Sequence, residues 1–181
     1  FARTRLLALE NTMRGKVLPL EYLAAASRLT REHGLALHLD GARLWNAHIA
    51  SRVPLADLGR LADTVSVCFS KGLGAPVGSV LVGSASAMAS ARVLRKRLGG
   101  GWRQAGVLAA AGLYALDHHV ERLADDHSAA TAFAQAAASG LGGGHAVRAP
   151  QTNIAVVGTG AQCEGAGAVL AQVLLAEGLR G

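Results

Sequence analysis

Aromatic residues are scarce in this 181-residue chain: three Phe, two Trp and two Tyr, 4% of the whole. That scarcity decides how its charge is read. Eighteen Lys and Arg against twelve Asp and Glu give a net charge of +6 and a pI near 10.1, which alone would invite a nucleic-acid surface. No aromatic platform, zinc-ligand spacing or recognition-helix pattern accompanies the arginines, so no nucleic acid is expected as partner. Cysteine is rarer still. Cys68 and Cys163 stand far apart without ligand spacing and read as reduced thiols of a cytoplasmic protein. His118 and His119, adjacent in a helical stretch, point about 100° apart and make a poor chelate, so no metal is expected. Long apolar runs are missing too. The alanine-rich residues 129–138 are too short and too interrupted to span a membrane.

What the chain does have is 51% hydrophobic residues and 23 glycines, enough for one moderate core or about a domain and a half. Two short motifs carry chemistry: HLDGAR at residues 38–43 and SKGLGAPVG at residues 70–78. Each follows an apolar run of strand character, residues 35–39 and 64–69. Ligands of open α/β sheets gather beyond the carboxyl ends of the strands, so Asp40 and Lys71 are expected in one crevice.

Such a pair is what pyridoxal phosphate requires. The protein must supply a lysine for covalent attachment and an acid that keeps the pyridine nitrogen protonated, which lets the ring draw electrons. A desolvated or cation-flanked lysine gives up its proton readily enough to attack an aldehyde. Glycines at 72, 74 and 78 let the backbone pass close to a flat cofactor. Taken singly, Asp-Gly after an apolar run is a turn and Lys-Gly a solvated loop. The pair, in this order and with these flanks, points to the cofactor.

The remaining pattern predicts an α/β layout. A strand is expected at residues 6–9 and a helix opening at Pro19 and running to His33, with Leu20, Leu23, Ala24, Ser27 and Leu29 on its inner face and Gly34 closing it. Helices are predicted over 42–50 and 54–61, a strand over 78–82 and a helix over 84–98 whose basic end suits its dipole. From Arg103 a long helical stretch runs toward Ala138, bent around Asp125, Asp126 and His127. A strand over 154–157 and a helix over 164–176 follow, with residues 142–144 as a glycine linker.

The succession Leu9-Glu10-Asn11-Thr12, HLDGAR, Ser70-Lys71-Gly72-Leu73, Lys96 and residues 99–106, GGGWRQAG, resembles the low-specificity L-threonine aldolases. The likeness runs from about residue 6 to about residue 127 and weakens through Gln151-Thr152-Asn153-Ile154. It implies an α/β protein of pyridoxal-phosphate fold type I, the aspartate aminotransferase-like architecture. Residues 1–125 would then be the later part of the large cofactor-binding domain and residues 126–181 part of the small C-terminal domain. The resemblance makes Lys71 the Schiff-base lysine and Asp40 the partner of the pyridine nitrogen. Arg43 is implied beside the cofactor and the substrate carboxylate, a task suited to a planar guanidinium. Arg103 is implied as a cofactor contact and Lys96 as a substrate contact, across a subunit interface.

The implied reaction is retro-aldol cleavage of a β-hydroxy-α-amino acid, threonine or allo-threonine, to glycine and acetaldehyde. The base for the β-hydroxyl is left unassigned: His38 shares Asp40's face by strand alternation, yet a lone histidine there reads as structural. The matching region begins partway into the large domain, so the chain is expected to be a fragment of a longer product, holding cofactor poorly and with little activity. No phosphate-cradling loop is evident in it. The connection at Met13-Arg14-Gly15 is also shorter than the family's. A homo-oligomer is implied for the full-length enzyme. Two alternatives stand beside this reading: a catalytically incomplete remnant that associates with a full-length relative, and a β-eliminating lyase of the same fold.

Overall fold

The computed structural model describes residues 3–140 and 145–159. Three parallel strands, β1 (Leu6–Glu10), β2 (Ala36–Gly41) and β3 (Thr64–Cys68), lie side by side, and β4 (Ser79–Gly83) pairs antiparallel with β3. The crossover from β1 to β2 is α1 (Leu20–Glu32); that from β2 to β3 is α2 (Leu44–Ser51) and α3 (Leu55–Gly59). Then come α4 (Ala85–Arg97), α5 (Gly106–His118), α6 (Leu123–Gly140) and an antiparallel pair, β5 (His145–Arg148) and β6 (Val156–Thr159).

Alternation along the strands decides which face is covered. Leu37 and Leu39 of β2 and Val65 and Val67 of β3 are buried, whereas Asp40 is exposed and His38 half-buried. Leu39, Val65 and Val67 pack with Leu23 of α1, Leu44 and Ala47 of α2 and Leu58 of α3. Leu23, Leu39 and Leu58 are 0–1% exposed, each burial contributing about 2 kcal/mol. On the opposite face His38 Nδ1 meets Thr64 Oγ1 at 2.8 Å, joining two residues paired in register. That contact agrees with a structural role for His38.

The helical face of α1 differs in part from expectation. Its buried residues are Leu23, Ala26, Ser27 and Thr30, while Leu29 is 50% exposed. Steps of three, four and seven from Leu23 return to one side of a helix; a step of six does not. Gly34, at φ +62, turns the chain into β2. Three boundaries also move. The helix expected from residue 42 starts at Leu44, because residues 42–43 form a turn held by the Ala42 N–H on the Asp40 carboxylate. The bend expected at 125–127 is an interruption between His118 and Leu123. The strand expected at 154–157 is Val156–Thr159, and β5 was not expected at all. The predicted helix at 164–176 and the glycine run at 142–144 lie outside the described residues.

Candidate active site

The three parallel strands finish at one edge. Glu10, Asp40 and Ser66 are register neighbours, and beyond them the chain carries Asn11-Thr12, Arg43 and Lys71 respectively. The Asp40 carbonyl accepts the Asn11 N–H at 2.9 Å, and its carboxylate Oδ1 accepts the Ala42 N–H at 3.0 Å. One carboxylate oxygen is thus used to shape the turn, and among the described residues the other has no hydrogen-bond partner. Gly41 has no room for a side chain: a Cβ there would lie 2.7 Å from the Ser66 carbonyl oxygen. The close approach of β2 to β3 at this end therefore depends on glycine. Arg43, half-buried, stands at the start of α2.

Lys71 sits on the loop between β3 and β4. Backbone bonds close that loop on itself: Phe69 N–H to Gly78 O (3.0 Å), Ala75 N–H to Phe69 O (3.0 Å) and Gly74 N–H to Lys71 O (2.8 Å). Gly74, at φ +70, makes the last of these turns possible. Leu73 and Ala75 plug the loop into a second core cluster with Ala115 and Leu123. His119 Nδ1 donates to the Leu73 carbonyl at 2.6 Å, and the Trp45 indole N–H donates to the Cys68 carbonyl at 3.0 Å. The loop is fixed while the lysine itself is exposed, and among the described residues no ion pair or hydrogen bond holds its ammonium.

Cys68 lies just before it, buried, with its thiol 3.3 Å from Ser70 Oγ. Burial raises the thiol pKa, but hydrogen bonds with Ser70 and Ser79 and the positive charge of Lys71 outweigh it and bring the pKa below the ordinary value. A thiolate is therefore easier to form at this strand end than on a free cysteine.

Of the five residues singled out from sequence, the topology brings Asp40, Arg43 and Lys71 to one edge. Lys96 and Arg103 are elsewhere: Lys96 is exposed on α4 with its stem against Gly101, and Arg103 is exposed in the segment before α5. Among the described residues no hydrogen bond or ion pair links either of them to Asp40 or Lys71.

Sequence reasoning noticed Asn11 and Thr12 as part of a motif but not what they do. Both are buried, at 0% and 2% exposure. Asn11 Oδ1 accepts the Leu18 N–H at 3.2 Å, while Asn11 Nδ2 and Thr12 Oγ1 have no partner among the described residues. Unpaired buried donors are costly, so such groups beside Asp40 mark the edge as a place for a ligand or an ordered water. The turn after them is tied to residues 134 and 137 positions away: Gln151 Oε1 accepts the Val17 N–H at 3.0 Å, and Thr152 Oγ1 donates to the Gly15 carbonyl at 2.8 Å.

Comparison with known proteins follows the same lines. The profile of the beta-eliminating lyase family matches residues 1–160. The low-specificity L-threonine aldolase of Escherichia coli O157:H7 is 54% identical over 135 residues, 75% of this chain and 40% of that protein. The low-specificity L-threonine aldolase 1 of Arabidopsis thaliana is 50% identical over 138 residues, 75% of this chain and 38% of that protein. Among solved structures, a provisionally assigned L-allo-threonine aldolase of Listeria monocytogenes superposes with a TM-score of 0.79 at 27% identity, covering 94% of this chain and 48% of that one. The chain thus spans about 40% of the length of the E. coli relative.

Proposed function

Because the chain belongs to the beta-eliminating lyase family, with its pyridoxal-phosphate fold of type I, we propose that it is the lysine-bearing part of a pyridoxal-phosphate-dependent aldehyde lyase. The whole protein would cleave L-threonine or L-allo-threonine to glycine and acetaldehyde. The observation that carries this reading is the placement of Asp40 and Lys71 at the carboxyl ends of adjacent parallel strands.

The residues present suit the cofactor. Asp40 keeps one carboxylate oxygen free of the turn it shapes, and a negative charge there favours a protonated ring nitrogen. Lys71 offers an exposed amine on a loop anchored from below, and Gly74, at φ +70, makes the turn that closes that loop. Asn11 contributes a buried donor at the same edge that is unpaired among the described residues. When bound, pyridoxal phosphate supplies the electron sink for bond breaking at the substrate Cα. Asp40 would hold a proton on the ring nitrogen, Lys71 Nζ would provide the point of covalent attachment, and Arg43 would grip the substrate carboxylate with its planar guanidinium. Arg103 and Lys96 would reach the cofactor and the substrate from a neighbouring subunit.

The same proposal divides the chain into residues 1–125, part of the large domain, and 126–181, part of the small one. In support, the four-stranded sheet is complete before α5, and the β5–β6 pair forms a separate sheet after α6. A homo-oligomer is part of it as well. Leu98, Trp102, Val107, Leu113 and Tyr114, before and along α5, are 59–86% exposed, apolar side chains that a second subunit would cover. The same surface favours one second reading, a remnant without activity of its own that joins a full-length relative. Among the described residues no helix is long and apolar enough to cross a membrane; a cytoplasmic location is proposed from the reduced state expected of its thiols.

The test uses the chain's three lysines, Lys16, Lys71 and Lys96. The chain is incubated with excess pyridoxal phosphate, reduced with borohydride, and the modified lysine is mapped by mass spectrometry. Dominant labelling of Lys71, with threonine-dependent glycine formation by the full-length protein, is the expected result. Equal labelling of all three lysines, together with no threonine-dependent glycine formation by the full-length protein, overturns it.

A further inference from the structure

The tie between the turn after β1 and the segment before β6 encloses a second concavity. Residues 13–16 form a two-residue hairpin closed by Met13 N–H to Lys16 O (2.9 Å) and Lys16 N–H to Met13 O (3.0 Å). Both central residues are left-handed, Arg14 at φ 51 and Gly15 at φ 79, as this kind of turn requires. Asn, Asp or Gly is usual at the first of these positions; an arginine holds that backbone only against steric cost. The hairpin does not float. Thr152 Oγ1 grips the Gly15 carbonyl, Gln151 Oε1 takes the Val17 N–H, and Gly15 sits so close on Ile154 that a Cβ would lie 2.7 Å from its Cβ.

Between this locked hairpin and the β5–β6 pair lies a cavity of about 430 Å³. Arg14, Lys16 and Arg148 line it together with Gln151, above an apolar floor that includes Ile154 and Val156. Among the described residues no carboxylate lines it, and the ion pairs involve only Arg60 and Arg122 as cations, neither of them here. The Gln151 side-chain oxygen is already used, which leaves its NH₂ as a donor. On a chain of net charge +6, exposed arginines ordinarily just face water. This group differs: three cations and an amide converge on one concavity, and one of the cations is held there by a strained backbone locked from below.

We infer that this cavity binds a small anion carrying two or more negative charges, a phosphate-bearing or dicarboxylate molecule. The site is separate from the proposed cofactor edge, since neither Asp40 nor Lys71 lines it. Several like charges around one anion each contribute a charge-assisted hydrogen bond, and the apolar floor accepts the body of the molecule.

The experiment is calorimetric titration of the chain with pyrophosphate and, separately, with succinate, at constant ionic strength. Saturable one-to-one binding is expected, unchanged in Lys71→Ala and weakened at least about tenfold by Arg148→Ala and by Arg14→Gly. Arg14→Gly is the informative variant, because glycine adopts the left-handed backbone freely and leaves the fold intact. Tighter binding of pyrophosphate identifies the phosphate-bearing class and tighter binding of succinate the dicarboxylate class; either supports the site. Heat no different from that of sodium chloride, affinity unchanged in both arginine variants, or binding lost in Lys71→Ala overturns it.

Discussion

Gly72, next to Lys71, lies against Leu123 at the start of α6, so that any side chain at 72 would run into Leu123 Cδ2. The second atom in the way is Asp126 Oδ2, at 3.4 Å from an added Cβ. Leu123 is 1% exposed and cannot swing aside into solvent. Gly72→Ala is therefore expected to lower stability by about 1–3 kcal/mol through overpacking, as measured by urea unfolding. It should also reduce borohydride labelling of Lys71. Gly59, at the end of α3 with nothing within 4 Å of an added Cβ, is the control: Gly59→Ala should raise stability by about 0.5 kcal/mol.

Asp40 separates a structural from a chemical role within one side chain. Its Oδ1 accepts the Ala42 N–H, a bond that an asparagine oxygen makes equally well. Asp40→Asn should leave the turn and the unfolding free energy within about 0.5 kcal/mol of the parent. The lost charge should lower glycine formation by the full-length protein at least about 100-fold. Equal activity of the two proteins would remove Asp40 from the chemistry.

The plug under the lysine loop is Leu73. It is 1% exposed in the cluster with Ala75, Ala115 and Leu123, and its carbonyl receives the His119 ring N–H. Leu73→Ala should cost about 2–5 kcal/mol, from lost burial and from the cavity left behind. Leu58→Ala in the other cluster should cost a similar amount. Only the Leu73 variant, kept under folding conditions, should lose the preference for labelling at Lys71. Equal labelling in both variants would mean that the loop keeps its shape without the plug.

That Asp40 and Lys71 follow strands of one sheet was legible because each comes after a short apolar run, and parallel strands deliver whatever follows them to one edge. Gly72 was read as making room for a flat cofactor and Gly41 as part of a turn; the atoms that forbid a side chain there, Leu123 Cδ2 and Ser66 O, come from other elements. The break between α5 and α6 was expected too late, since alanine-rich sequence continues on both sides of it without proline. The break is held by turn bonds such as Leu123 N–H to Val120 O and by the tertiary bond from His119 to Leu73. Ile154 was assigned to a strand on local pattern, yet its side chain is used against Gly15. No periodicity signals a contact between residues so far apart. The same holds for Asn11 and Thr12, whose burial arises from packing that local spacing does not encode.

His127 of α6 faces Asn46 of α2 and makes that contact sensitive to acid. Asn46 Nδ2 donates to His127 Nε2 at 3.2 Å, so the ring must be neutral at that nitrogen to accept. Burial pushes the His127 pKa below its ordinary value of 6.5, and the negative charge of neighbouring Asp126 only partly opposes this. The unfolded chain therefore takes up a proton at higher pH than the folded one. By linkage, stability rises with pH wherever the unfolded state binds more protons. The contribution of His127 is fully present above about pH 6.5, declines as pH falls below it, and stops declining once the folded-state pKa is passed. Urea unfolding across that range should show the loss in the parent chain, and His127→Gln should flatten this part of the pH dependence, because a glutamine does not titrate there. A histidine resonance followed by NMR should move below the ordinary range in the folded chain. An unchanged titration midpoint would mean that the α2–α6 contact does not depend on the neutral ring.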